Sequence, residues 1–164
     1  MRPLHVLPLF ALALAGCTTG GRFVEAVPTQ QFVASRSPEV IVNAPADVVR
    51  SVIAENAARR GSNLFEVGGG LALQAPLGQT TPEVAVACGP HIPGRQIRVL
   101  LRANEQGQRT RLTEERFIVD GGRVCPMPMV DADVRQAIGA LNRVKDTSEQ
   151  IQRRFDSPTG QRNT

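Results

Sequence analysis

The 164-residue chain contains no tryptophan and no tyrosine, and only two histidines. Stacking platforms for sugars or single-stranded nucleic acid need aromatic faces. Phe23, Phe32, Phe65, Phe117 and Phe155 are too scattered to build one. Histidine is the usual proton carrier of neutral-pH catalysis. His5 falls in the N-terminal apolar run, which leaves His91 alone, so a hydrolase or a zinc enzyme is hard to assemble and no enzyme is expected. Lysine is nearly missing too: all of the 19 basic residues except Lys145 are arginine. The net charge of +4 is small and dispersed, and no nucleic-acid partner is expected from it. No apolar run reaches the roughly 20 residues that a membrane-spanning helix requires.

The first seventeen residues carry the strongest pattern. Met1 to His5 holds one positive charge, Arg2. Val6 to Ala15 (VLPLFALALA) is an apolar stretch of signal-peptide length. Leu14-Ala15-Gly16-Cys17 closes it, and this tetrapeptide resembles the lipobox of bacterial lipoproteins. The resemblance implies that residues 1–16 are a signal peptide and that Cys17, acylated on its sulfur and its new amine, is the first residue of the mature protein. Acyl chains contribute about 0.8 kcal/mol per buried methylene, so two or three chains hold a protein stably at a membrane. Thr18 follows the cysteine. In lipoproteins of this kind an Asp there favours inner-membrane retention, so the resemblance implies the periplasmic leaflet of the outer membrane in a Gram-negative envelope.

Beyond Cys17 two cysteines remain, Cys88 and Cys125. An even pair in an oxidising compartment predicts a disulfide between them. Cys88, His91 and Cys125 would supply three zinc ligands, but no strong fourth stands nearby, and neither a metal nor any other cofactor is expected.

Residues 17–37 read as a flexible tether in which Phe32-Val33 could form a first edge strand. Residues 38–155 read as one domain, and 156–164 as a polar tail. Glu39 to Val42 is a β-branched strand. Asn43-Ala44-Pro45-Ala46-Asp47 opens a helix that runs to about Arg60 and closes at Gly61. Leu64 to Val67 and Leu71 to Ala75 flank Gly68-Gly69-Gly70 as a hairpin. Glu83 to Cys88 alternates and reads as a strand. Gln96 to Ala103 and Gln108 to Val119 form a second hairpin around Asn104-Glu105-Gln106-Gly107. That turn pairs Arg102 with Arg109, Leu100 with Arg111, Val99 with Leu112 and Ile97 with Glu114. The alternation breaks at Glu114-Glu115-Arg116, which predicts a bulge. Glu114 and Glu115 fall on opposite strand faces, a poor arrangement for a general acid and base. Asp131 or Asp133 is expected to cap a long helix ending near Phe155, with Val134, Ile138, Leu141, Lys145, Ser148, Ile151 and Phe155 as its stripe.

This order of elements predicts a two-layer α+β domain: strand, helix, antiparallel strands, then a long C-terminal helix. The order, with the opening stretch Val40-Ile41-Val42-Asn43-Ala44-Pro45-Ala46-Asp47-Val48-Val49, resembles helix-grip domains. Such domains are found in START-like lipid binders and in a lipoprotein component of the outer-membrane β-barrel assembly machine. Two functions follow as expectations. One is a non-enzymatic accessory or scaffolding subunit of an envelope assembly, anchored through Cys17 and bound to an envelope protein. The other is a carrier that encloses a lipid or small apolar ligand, with Gly139, Met127 and Met129 at the mouth. Arg98, Arg102, Arg109 and Arg111 should line the outer face of the long hairpin, where they could meet an anionic surface.

Overall fold

The computed structural model describes residues 37–157. The expected signal segment 1–16, Cys17, the tether with Phe32-Val33 and the tail from residue 158 lie outside the described residues. In chain order the elements are β1 (Glu39–Val42), α1 (Ala46–Arg59), β2 (Leu64–Val67), β3 (Gly70–Pro76), α2 (Pro82–Cys88), β4 (Gln96–Gln106), β5 (Arg109–Asp120), β6 (Arg123–Pro126) and α3 (Asp131–Asp156). They form an α+β domain with an open antiparallel sheet in the order β1-β5-β4-β3-β2. β6 lies beside β1 on the same edge of β5: β1 pairs with Thr110 to Thr113, and β6 with Phe117 to Asp120.

One sheet face carries the core. Val42, Leu101, Ala103 and Leu112 pack with Val49 and Ile53 of α1 and Leu141 of α3. The loop from β1 to α1 is fixed from two sides. Thr110, fully buried, donates its hydroxyl to the Ala44 carbonyl at 2.7 Å. Glu149 of α3 accepts from the Asn43 backbone and side-chain amides, each at 2.9 Å. α1 ends in a Schellman arrangement: Ser62 N–H reaches Ala57 O and Gly61 N–H reaches Ala58 O, with Gly61 at φ +63°.

The β2–β3 hairpin turns on Gly68 and Gly69, both at positive φ, as a two-residue hairpin loop of this twist requires. Gly70 serves a different purpose. A Cβ there would lie 2.8 Å from both Leu101 O and Leu100 Cδ1 of the neighbouring strand β4. Gly70→Ala is therefore expected to cost about 1–3 kcal/mol through overpacking against backbone. Urea unfolding of the variant checks this, and a loss under about 0.5 kcal/mol, well below the overpacking range, would show that β3 moves aside freely.

Several elements differ from the sequence-based expectation. Residues 82–88 are a helix, not a strand. Thr81 accepts from Val84 N–H as N-cap and Pro82 occupies the first turn, so capping chemistry outweighs a six-residue alternation. The exposed Glu83 carboxyl is held below the usual carboxylate range by its own backbone N–H and by the Thr81 hydroxyl. The long hairpin turns at Gly107-Gln108, with β4 continuing through Asn104, Glu105 and Gln106. Arg102 consequently faces Thr113, Leu100 faces Glu115, Val99 faces Arg116 and Ile97 faces Ile118. The register is continuous from Gln96↔Val119 to Gln106↔Arg109, so there is no bulge at Glu114. Neither Asp131 nor Asp133 caps α3. The N-cap is Val130, and both carboxylates sit in the first turn, where they favour the helix through its dipole. Ala137, Leu141 and Ser148 form the buried line of α3, while Ile138 and Phe155 stay exposed. Ser148 remains satisfied by donating to Val144 O at 2.8 Å.

Candidate functional site

The helices do not fully cover the inner face of the sheet. Leu73 of β3 and Val99 of β4 remain half-buried beneath a cleft of about 520 Å³ between α1 and α3. Its apolar walls come from Ile53 and Ala57 of α1, Leu73, Val99 and Leu101 of the sheet, and Leu141 and Val144 of α3. The volume lies within the range of about 300–1,000 Å³ typical of small-molecule sites, and mostly apolar walls with a few polar groups are their usual composition.

The polar groups of the cleft fall into two sets. Glu114 and Arg116, two residues apart on β5, both point to the inner face. Arg116 Nε donates to Glu114 Oε1 at 2.7 Å, and Arg116 Nη1 lies 3.5 Å from Asp133 Oδ1 on α3. Their side chains are only 5% (Glu114) and 12% (Arg116) exposed, against 29% for Asp133. This guanidinium is thus shared between two carboxylates, which together outnumber its charge. The second set lies at the exposed rim: Arg60 at the end of α1, with Arg143 and Asp146 on α3. None of these three has an ion-pair partner among the described residues.

The structure distributes the residues singled out in the sequence over other parts of the fold. Gly139, Met127 and Met129 do not line the cleft, because α3 turns Ala140, Arg143, Val144 and Thr147 toward it instead. A Cβ on Gly139 would meet only the tip of Arg143, so this glycine admits no close approach of another strand. Arg98, Arg102, Arg109 and Arg111 share the outer sheet face, as the alternation of paired residues dictates. Arg98 donates to Gln74 and lies 5.4 Å over the Phe65 ring, Arg102 pairs with Glu115, and Arg111 pairs with Glu39. Only Arg109 of the four has no side-chain partner among the described residues.

Cys88 and Cys125 are joined in a disulfide with their Cα atoms 5.8 Å apart. Cys88 ends α2, and Cys125 lies in β6 opposite Ile118. Arg95 reinforces the link. Its guanidinium, 2% exposed, donates to the carbonyls of Cys88 and Gly89 and to Asp120 at 3.0–3.3 Å. His91 sits on an exposed loop within hydrogen-bond distance of the Thr80 hydroxyl. No group of three or more His, Cys, Asp or Glu side chains among the described residues could hold a metal ion. No helix among them is long and apolar enough to cross a membrane. Comparison of the sequence with models of protein families and with curated proteins finds no match.

Proposed function

We propose that this chain is a lipid-anchored, non-enzymatic protein of the bacterial cell envelope whose domain binds an apolar ligand in the cleft between α1, α3 and the sheet. The address rests on Leu14-Ala15-Gly16-Cys17 after a ten-residue apolar run. The binding role rests on one observation: Leu73, Val99 and Val144 form apolar walls that the protein leaves half-exposed around about 520 Å³ of space. A protein with no ligand to accommodate gains stability by closing such a gap, since about 25 cal/mol is recovered for each Å² of apolar surface removed from water. The carrier reading therefore has more geometric support than a scaffold without a ligand.

The accessory-protein reading keeps one supporting feature. Val86 and Val124 are 75% and 52% exposed on α2 and β6, the two elements joined by the disulfide. Exposed apolar side chains on a rigid mount suit an envelope protein partner.

Two measurements test the proposal. Labelled palmitate is expected to enter the wild-type protein and not Cys17→Ser, which should leave the membrane fraction; equal fractionation of the two would overturn the anchor. Native mass spectrometry of the mature Cys17→Ser chain should then show a bound apolar molecule that is lost on Val144→Trp, which fills the cleft from its half-buried wall. An empty wild-type cleft, recovered together with envelope proteins, would move the assignment to the accessory role.

A further inference from the structure

The geometry points to the chemical class of the ligand: an amphiphile with an anionic head, its tail along the apolar walls and its head at Arg60 and Arg143. This rests on the ligand-binding reading of the cleft. Two observations carry it.

The first is the distribution of charge. At the inner end Arg116 is held between Glu114 and Asp133, a cluster with one more negative than positive charge. An anionic head buried there would be repelled. A cationic head would have to compete with Arg116 for carboxylates that already have their partner. At the rim Arg60 and Arg143 outnumber Asp146, and their guanidiniums are uncommitted among the described residues. Forked guanidinium donors match carboxylate and phosphate oxygens, which makes the rim the place for an anionic head.

The second is the shape of the surrounding chemistry. The wall between these ends is apolar and comes from three elements, namely Ile53 and Ala57, Leu73 and Val99, and Leu141 and Val144. Asn56, Ser62 and Thr147 line the same cleft and can hydrogen-bond the remaining oxygens of a head group.

The test uses the whole mature chain with Cys17→Ser and four C12 probes below their critical micelle concentrations: laurate, dodecyl phosphate, dodecylammonium and dodecyl maltoside. Calorimetric titration should show laurate or dodecyl phosphate binding at least tenfold more tightly than dodecylammonium. Whichever of the two anions binds better identifies the head as a carboxylate or a phosphate. The exposed double substitution Arg60→Gln/Arg143→Gln should weaken the anionic probes at least tenfold and leave dodecyl maltoside unchanged. If all four heads bind alike, and the double variant binds them as the wild type does, the head assignment is overturned while the cleft remains a ligand site. If no C12 probe binds at all, the ligand-binding reading itself fails.

Discussion

Replacing Arg116 by methionine is expected to cost about 3–5 kcal/mol of folding stability, the range for removing one partner of a buried ion pair. The loss arises from what stays behind. Glu114, 5% exposed, would keep its charge without the cation that lies 2.7 Å away, and Asp133 would lose its partner across the interface between β5 and α3. Glu114→Leu should cost less, because Arg116 would retain Asp133 at 3.5 Å. The double variant Glu114→Leu/Arg116→Met is expected to return to within about 1 kcal/mol of wild type, since an apolar pair of similar volume carries no desolvation penalty. Such non-additivity is what a double-mutant cycle measures. Urea unfolding of the three variants gives the cycle. Single-variant losses under about 1 kcal/mol, typical of a solvated surface pair, would show that water reaches the cluster.

The same pair explains why parts of the fold were not legible in the sequence. A charged triplet, Glu114-Glu115-Arg116, interrupts the alternation of β5, and a bulge is the simplest way to keep such residues out of a core. The structure keeps the register and places Glu114 and Arg116 inward, where each neutralises the other. Opposite charges two residues apart on one strand share a face, so the pattern held the answer, but local hydropathy cannot reveal a partner supplied by α3. The turn of this hairpin fails for a related reason. Asn104 to Gly107 has good turn composition, yet Gly107 alone supplies the positive φ, and pairing continues through Gln106. Where local and distant signals agree, as in α1 with its Gly61 terminus and in the glycine turn of β2–β3, the elements lie where the sequence puts them.

The cleft was less legible than the fold. Its walls are ordinary core residues in the sequence: Ile53, Val99 and Leu141 are where amphipathic patterning places apolar side chains. What makes them a candidate site is incomplete coverage, a property of how α1 and α3 cross the sheet, and no local pattern encodes it. Arg60 and Arg143 are likewise inconspicuous in a chain whose cations are nearly all arginine. In the structure they stand out because they lie on the cleft without a partner among the described residues, whereas Arg116 within it already has two. The α2 helix was legible in principle, from Thr81-Pro82-Glu83. Its seven residues give the alternation and the cap nearly equal length, and the cap prevails because it satisfies backbone N–H groups directly.

Loss of the Cys88–Cys125 bridge is expected to lower stability by about 4 kcal/mol, from the entropy regained by the unfolded chain when a loop of 37 residues is opened. For a domain of this size the corresponding fall in melting temperature is roughly 15 °C. The effect should begin at α2. A seven-residue helix is too short to persist in water alone, and Val84 is its one fully buried side chain. Without the bridge, α2 is held mainly by Arg95, whose guanidinium caps the Cys88 and Gly89 carbonyls and pairs with Asp120. In Cys88→Ala/Cys125→Ala, hydrogen exchange should accelerate over residues 82–88 before it does so in β4 and β5, where the ladder is longest. Arg95→Met in the same background should remove the residual protection of α2, which separates the covalent restraint from the polar one. A melting temperature within about 3 °C of wild type would mean that the unfolded chain is already constrained near these cysteines and that the bridge adds little beyond what Arg95 provides.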